Sequence, residues 1–176
     1  MNLTRSIALI GMMGVGKSLV GKALEQKTGL SRFDTDEITS SKLKMPIKEI
    51  FSTHGEEHFR NLETETLRSI SLEKPAIIVT GGGIVLRAEN VDLLRQLGIV
   101  VWLDADEKTL RMRIRSLSDR PLLQTANPGA TLSELLAARE PLYRRAADLR
   151  VDVSQKQPEE VAELILENIK NFPVGE

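Results

Sequence analysis

Residues 11–18 read GMMGVGKS and fit the pattern G-x-x-x-x-G-K-[ST], in which a glycine-rich turn is followed by a lysine and a hydroxyl residue. The segment follows a short apolar run and opens a stretch of helical period. Backbone N–H groups that turn inward around phosphates need glycines at such a turn, because side chains would intrude. The pattern predicts a phosphate-binding loop, with Lys17 at the β and γ phosphates of a nucleotide and Ser18 on Mg²⁺.

Two carboxylates separated by one residue, Asp34 and Asp36, end a second, weaker apolar run. In a doubly wound sheet the C-terminal ends of the strands face the ligand, so both groups are expected near the phosphate loop. One could orient Mg²⁺, directly or through water, and the other could accept a proton from a substrate hydroxyl. Capping of the following helix is the alternative explanation, and the residues alone leave it open.

Three consecutive glycines, Gly81, Gly82 and Gly83, follow the apolar run at 76–79. A mere turn rarely needs more than one glycine, since each costs conformational entropy. Their N–H groups at a strand end could approach an anion or substrate closely, and tight packing is the other explanation. No aspartate ends this strand, so Asp34 is the candidate for the Mg²⁺-holding carboxylate.

Three arginines have spacings or neighbours that suggest anion binding. Arg60 and Glu63 share a helix face, so the carboxylate could hold the guanidinium in place, although an exposed ion pair gives the same pattern. Arg120 lies in the irregular stretch 116–131, which suggests a lid that adds positive charge over the γ-phosphate; a structural loop arginine is the alternative. Arg139 offers a second anion contact, although taken alone it is more typical of an exposed helix end.

The composition excludes several chemistries. The chain has 176 residues, no Cys and two His, so disulfides, thiolate nucleophiles, Cys-based zinc sites and three-His metal sites are impossible within it. The net charge of −1 conceals an uneven distribution, because residues 111–150 hold eight of the fourteen arginines and no lysine, for a local charge of +4. Such a window predicts either phosphate and carboxylate contacts or a solvated basic helix face.

Short apolar runs alternate with stretches of helical period, which predicts an α/β fold with a doubly wound parallel sheet covered on both faces. Strands are predicted at 6–10, 76–80 and 99–103, with weaker ones at 30–33 and 149–153. Helices are predicted at 17–28, 47–51, 56–72, 91–97, 107–114, 132–146 with an interruption at Pro141, and 159–169. The length fits one domain, 1–176.

The apolar run at 7–15 is too short to span a bilayer, which takes ~20 residues, and no cleavage pattern follows it. We therefore expect a cytoplasmic protein without a membrane partner. The guanine-binding string N-K-x-D and the switch string D-x-x-G do not occur, which argues against a GTPase. A motor ATPase with its accessory helices does not fit in 176 residues. A small kinase is the simplest remaining class.

In this order the motifs resemble those of the shikimate kinases over almost the whole chain. The resemblance rests on GMMGVGKS, the Asp34/Asp36 pair, Gly55-Glu56 followed by Phe59-Arg60 and Glu63, the triple glycine, Arg120-Pro121-Leu122-Leu123, and Arg139 with Pro141-Leu142-Tyr143. It implies a P-loop fold similar to that of the nucleoside monophosphate kinases, with a five-stranded parallel sheet, a substrate-binding region at about 34–63 and a lid at about 114–131. It implies transfer of the ATP γ-phosphoryl group to the 3-hydroxyl of shikimate, on the route to chorismate and the aromatic amino acids.

The resemblance also implies roles for individual residues. Lys17, Asp36 and Arg120 would be catalytic, with Asp36 as the base, and Glu63 would orient Arg60. ATP would be bound by Gly14, Val15, Gly16, Lys17, Ser18, Leu19, Arg113, Arg120 and Gln155. The substrate would be bound by Asp36, Arg60, Gly81, Gly82, Gly83 and Arg139. Ser18 and Asp34, the latter through water, would hold Mg²⁺. Two departures stand out: Leu19 replaces a frequent threonine, and the lid segment after Leu123 fits no fixed pattern.

Three other functions are consistent with parts of the sequence. A small-acid sugar kinase such as a gluconate kinase shares the phosphate loop and a lid, but the triple glycine and the Asp34/Asp36 pair with Arg60 disfavour it. A regulatory nucleotide-binding module that lost catalysis is disfavoured by the complete set of reactive side chains. Nucleic-acid binding is disfavoured because aromatic residues make up 3% of the chain and no base-stacking surface is visible. We expect a monomer that binds two small molecules.

Overall fold

A computed structural model describes residues 3–70, 73–114, 121–170 and 172. Single 3₁₀ turns lie at Ile84–Leu86 and Pro121–Leu123. The strands of the described residues are β1 (Ser6–Ile10), β2 (Arg32–Asp34), β3 (Ile77–Val79), β4 (Gly98–Asp104) and β5 (Leu149–Asp152). The helices are α1 (Lys17–Thr28), α2 (Thr35–Leu43), α3 (Ile47–Ser69), α4 (Ala88–Leu97), α5 (Glu107–Arg113), α6 (Pro128–Ala146) and α7 (Pro158–Ile169).

The five strands form one parallel sheet in the order β2-β3-β1-β4-β5. The chain leaves the central strand β1 toward one edge and later returns past it toward the other. Because crossovers between parallel strands are right-handed, this order places helices on both faces. Accordingly α1 packs against α7, and α3 packs against α4. The predicted doubly wound, five-stranded α/β fold is confirmed.

The core lies on the two faces of the central strands. Every residue of β1 is buried, and β4 is buried except at its last residue. This explains their near-continuous apolar sequences, since both faces of the sheet are covered. The helix α7 buries residues at helical spacing, namely Val161, Ala162, Ile165 and Ile169. In the part of the chain that the structure describes, no helix is both long enough and apolar enough to cross a membrane.

The helix α2 is not among the helices that periodicity predicts, and only the capping explanation for the Asp34/Asp36 pair pointed to it. Only Thr35 and Thr39 are buried in it, so it has no apolar stripe that a periodicity search could detect. The helix forms because Asp34 caps it and because α3 covers it: the hydroxyls of Thr39 and Thr66 hydrogen-bond at 3.0 Å. The predicted break in α3 is present, since Gly55 has a non-helical backbone (φ 81°, ψ 169°) between two helical halves.

The helix α6 differs from its prediction in two ways. It begins at Pro128 rather than at residue 132, because Asn127 caps it by accepting a hydrogen bond from the N–H of Ala130 at 3.1 Å. It also continues through Pro141, although an internal proline removes one backbone hydrogen bond. Buried contacts of Arg139 and Tyr143 on either side of Pro141 hold this part of the helix against the sheet.

Candidate functional site

The turn between β1 and α1 has the backbone that its sequence motif requires. Gly11, Gly14 and Gly16 have φ values of 139°, 78° and 104°, which lie in the region that side chains with a Cβ rarely adopt. Gly16 caps α1 without a side-chain bond, so the first N–H groups of the helix remain directed at the turn. The result is an anion-binding loop at a helix N-terminus.

Lys17, the first residue of α1, is folded into this loop. Its side chain is 8% exposed, and Nζ donates hydrogen bonds to the carbonyls of Gly11 at 2.7 Å and Met12 at 3.0 Å. These two carbonyls keep the ammonium group inside the turn. A phosphate that enters the loop therefore meets a positive charge that is already in position.

Asp34 serves two purposes at the end of β2. Its Oδ1 accepts hydrogen bonds from the N–H groups of Asp36 at 3.1 Å and Glu37 at 3.4 Å and so caps α2. Its Oδ2 lies 3.3 Å from the hydroxyl of Ser18. The capping explanation is thus correct for Asp34, but it leaves one carboxylate oxygen beside the phosphate loop.

A cavity of about 760 Å³ opens over the phosphate loop. We call it the nucleotide cavity. Of the residues expected to bind ATP, it is lined by Gly14, Val15, Gly16, Lys17, Ser18, Leu19 and Arg113. Gln155 lines a neighbouring cavity instead, whereas the next two residues of the same turn, Lys156 and Gln157, face the nucleotide cavity.

Arg113, the last residue of α5, joins two sides of the nucleotide cavity. Its guanidinium donates to the carbonyl of Val15 at 3.0 Å and to the carbonyl of Val153 at 3.0 Å. It thus connects the phosphate loop to the segment after β5. Arg120 lies outside the described residues, together with residues 115–119 of the predicted lid.

The described arginines of the window 111–150 include both inward and outward side chains. Arg113 and Arg139 line cavities, and Arg139 is 3% exposed rather than solvated. Three others form ion pairs with surface carboxylates: Arg111 with Glu107, Arg144 with Glu140, and Arg150 with Asp104. Some arginines of the window thus face cavities that could hold anions, and others lie on a solvated surface, so each of the two explanations applies to part of the window.

A second, smaller cavity of about 200 Å³ adjoins the first. We call it the acceptor cavity. Met13, Asp36 and Gly82 line both cavities, so the two spaces meet at one carboxylate. Its remaining lining contains two buried guanidinium groups, the triple glycine and two aromatic rings, namely Arg60, Arg139, Gly81, Gly83, Phe51 and Phe59 among others. All predicted substrate-binding residues line the acceptor cavity.

Arg60 is buried on α3, and the exposed-pair explanation is wrong for it. One edge of its guanidinium is held by Glu63, and the other edge donates to Glu56 at 2.8 and 3.2 Å. Its charge also lies 5.3 Å from the ring centroid of Phe59 and 5.9 Å from that of Phe51. Although burial opposes the charge, Glu63 and Glu56 raise the pKa of Arg60, which keeps it cationic.

Glu63 is fully buried beside Arg60. Loss of hydration raises the pKa of Glu63 to about 7, against the opposing attraction of Arg60. A Cβ placed on Gly81 would lie 2.6 Å from Glu63 Oε1 and 2.8 Å from Asp36 Oδ1. Glycine at that position is what allows both carboxylates to approach the backbone of the triple glycine.

We expect the native protein to lose stability relative to a Glu63→Gln variant as the pH rises from about 5 to 8. The folded protein holds a proton on Glu63 that the unfolded chain, with the usual pKa of 4.5, releases earlier. Raising the pH removes that proton and leaves a buried charge. Urea unfolding of both proteins across this range measures the difference. If the native protein instead gained stability relative to Glu63→Gln as the pH rose, the raised pKa of Glu63 would be contradicted.

Several residues carry no indication in the sequence of their place at the site. Phe51 and Ile47 resemble ordinary core positions, yet they line the acceptor cavity together with Arg60. Met13 occupies one of the unspecified positions of the motif G-x-x-x-x-G-K-[ST], yet it lies where the cavities meet. Tyr143 belongs to one of the motifs, but nothing in that motif indicates that its hydroxyl contacts the carbonyl of Gly82.

Comparison with known proteins identifies the family of the chain. The family model for shikimate kinase matches residues 13–170. A shikimate kinase from Thermodesulfovibrio yellowstonii is 42% identical over 171 residues, 97% of this chain and 98% of that protein. The structure of shikimate kinase from Acinetobacter baumannii in complex with shikimate has a TM-score of 0.93 and 34% identity, covering 99% of this chain and 97% of that one. A gluconokinase from Sinorhizobium meliloti, with a TM-score of 0.54 and 18% identity over 97% of this chain and 94% of that one, shares the fold alone.

Proposed function

Because the chain belongs to the shikimate kinase family, we propose that it transfers the γ-phosphoryl group of ATP to the 3-hydroxyl of shikimate, giving shikimate 3-phosphate and ADP. The observation that carries this proposal is the junction of the nucleotide and acceptor cavities at Asp36 and Gly82. The larger cavity is built around a phosphate loop and the smaller one around two guanidinium groups. A phosphate donor and a small acidic acceptor therefore meet at one carboxylate.

In the nucleotide cavity, Lys17 exchanges the carbonyls of Gly11 and Met12 for oxygens of the β and γ phosphates. Gly14, Val15 and Gly16 supply backbone N–H groups, and Leu19 and Arg113 border the rest of ATP. Arg120, from the lid, adds a further cation over the transferred group. Gln155 has the least structural support among the proposed ATP-binding residues. It directly precedes Lys156 and Gln157, which line the nucleotide cavity, but does not line that cavity itself.

In the acceptor cavity, Arg60 and Arg139 hold the carboxylate of shikimate. Glu63 is fully buried and keeps one edge of Arg60 fixed, whereas the Glu56 side chain on the other edge is 47% exposed. Both donors on that edge share one oxygen of Glu56, so a substrate carboxylate can replace Glu56 there and place one oxygen on each donor. The triple glycine brings its backbone close to the ring of the acceptor.

The chemical step needs little covalent help from the protein. The 3-hydroxyl oxygen bonds to the γ phosphorus, the bond from phosphorus to the bridging oxygen breaks, and ADP leaves. Asp36, which faces both cavities, orients the hydroxyl and takes its proton. The transition state is loose and spreads charge over the equatorial oxygens, so Lys17 and Arg120 stabilise it mainly by position and charge.

The oxygen donors at the phosphate loop suit Mg²⁺. The hydroxyl of Ser18 and Oδ2 of Asp34 lie 3.3 Å apart at the nucleotide cavity, and both are hard ligands. The described residues contain no group of three or more carboxylates and histidines that could hold a metal ion. Two protein oxygens suit an ion such as Mg²⁺ that keeps several water and phosphate ligands. Ser18 would bind the ion directly, and Asp34 would bind it through a water molecule. When bound, Mg²⁺ neutralises the β and γ phosphates.

The remaining expectations rest on the family. We propose a single-domain cytoplasmic monomer that acts on the route to chorismate and the aromatic amino acids, without a nucleic-acid or membrane partner. The substrate-binding region at about 34–63 is supported by Asp36, Arg60 and Glu63, which all line the acceptor cavity. The lid is proposed at about 114–131, with its last residues inside α6.

The proposal is tested by coupled ADP release with ATP, Mg²⁺ and a panel of small hydroxy acids that includes shikimate and gluconate. We expect kcat/KM for shikimate to exceed that for every other acid in the panel. Preference for gluconate would establish the sugar-kinase alternative. ATP binding without turnover on any acid would establish the regulatory alternative.

A further inference from the structure

The helix α6 directs two side chains at one backbone oxygen of the site. Arg139 Nη1 donates to the carbonyl of Gly82 at 3.4 Å, and the Tyr143 hydroxyl donates to the same oxygen. The two residues lie one helical turn apart. We propose that Tyr143 is a positioning residue for the acceptor, because its hydroxyl sets the orientation of the peptide between Gly82 and Gly83. This inference rests on the proposed function.

The Tyr143 hydroxyl is held as a permanent donor. The residue is 1% exposed, and burial raises the pKa of Tyr143 to about 12, so the proton stays on the oxygen at any working pH. The ring stacks on Trp102 with 6.0 Å between centroids, and the sulfur of Met12 lies 3.9 Å from the hydroxyl. These contacts fix the direction from which the hydroxyl approaches the carbonyl.

The peptide between Gly82 and Gly83 is intrinsically free to rotate. Neither residue has a Cβ, so the dihedral angles on both sides of this peptide are less restricted than those beside a peptide that joins any other pair of residues. The described residues contain no cis peptide, and in a trans peptide the N–H points opposite to the carbonyl. An anchor on the Gly82 carbonyl therefore also determines where the Gly83 N–H points.

This peptide lines the acceptor cavity at its junction with the nucleotide cavity. Gly82 lines both cavities, and Gly83 packs so closely on the Arg60 guanidinium that any side chain there would collide with it. Arg139, the other donor to the Gly82 carbonyl, is part of the same cavity. Tyr143 therefore fixes the position of the triple-glycine backbone relative to the two arginines that hold the acceptor carboxylate. It does so without lining the acceptor cavity itself.

The test is a Tyr143→Phe variant, which keeps the ring and removes only the hydroxyl. We expect the shikimate KM to rise roughly fivefold to tenfold, because one buried hydrogen bond is lost and the peptide is misaligned. The ATP KM should change less than about twofold. We also expect the Gly83 amide resonance of the substrate-free protein to shift in ¹H–¹⁵N spectra.

Ser6→Ala is the matched control. It removes a buried hydroxyl that accepts a hydrogen bond from the Ala76 N–H at 3.1 Å, at the N-terminal end of the central strand β1 and so at the opposite end of the strands from Gly82. We expect both KM values and the Gly83 resonance to stay unchanged in it. A Tyr143→Phe variant with unchanged shikimate KM, or with both KM values raised equally, would overturn the inference. Absence of shikimate turnover in the native protein would instead contradict the proposed function, and an unshifted Gly83 resonance would still count against the positioning role.

Discussion

Replacing Lys17 by Met is expected to lower kcat by on the order of 10³-fold while the fold stays intact. The side chain of Met has a similar length and fills the same space inside the loop. It lacks the charge that Lys17 holds between the carbonyls of Gly11 and Met12. In the transition state that charge stabilises phosphate oxygens in a site with little water, where it has its greatest effect.

Coupled ADP release with saturating shikimate measures this effect, and circular dichroism checks the fold. Lys22→Met is the control, because Lys22 lies exposed on the same helix. We expect its turnover to equal that of the native protein. Undiminished turnover in Lys17→Met would show that another group supplies the charge at the γ-phosphate.

Replacing Arg60 by Ala is expected to raise the shikimate KM by about 30-fold or more, with a small effect on the ATP KM. Arg60 contacts only the acceptor side of the site, so its loss removes a carboxylate contact from one substrate. The loss also leaves Glu63 buried without its cationic partner. An Arg60→Lys variant, which restores the charge but not the two-point contact, should recover only part of the affinity.

Initial rates at varied shikimate and varied ATP separate the two constants. Arg68→Ala is the control on the same helix, because Arg68 is exposed and pairs with Glu89 at the surface. It should leave both KM values unchanged. An equal rise of the two KM values in Arg60→Ala would rule out a carboxylate clamp and indicate a general effect on the fold.

The parts of the site that sequence predicts well are those built from adjacent residues. The phosphate loop, β1 and α1 form one continuous segment, and the predicted bounds 6–10 and 17–28 agree with the structure. Turn glycines, a buried strand and a helix start each depend on neighbours in the chain. Local chemistry is therefore sufficient for this half of the site.

The acceptor cavity depends on contacts between distant segments, and sequence predicts it less well. Arg139 looked like an exposed helix end because no local feature shows that α6 packs its middle against Gly82. The short helix α2 gave no periodic signal because its buried residues are threonines rather than apolar side chains, so only the capping explanation for Asp34 and Asp36 pointed to it. Only the resemblance to a family placed Arg60 and Arg139 together before the structure did.

The turn after β5 illustrates a limit on precision. The resemblance implied Gln155 as the ATP contact of this turn. In the structure the Asp152 carboxylate accepts hydrogen bonds from the backbone and hydroxyl of Ser154, which fixes the turn so that Lys156 and Gln157 face the nucleotide cavity. Which residue of a turn faces a cavity depends on its hydrogen bonds, and spacing alone does not reveal them.

The central claim is that the two cavities bring the γ-phosphate of ATP and a hydroxyl of shikimate together at Asp36. The most direct measurement is ³¹P NMR of a reaction containing the protein, ATP, Mg²⁺ and shikimate. We expect the γ-phosphate signal to disappear while one phosphate monoester of shikimate and ADP appear in equal amounts. Release of inorganic phosphate with unmodified shikimate would contradict the claim, because it would mean that water rather than the acceptor meets the phosphate.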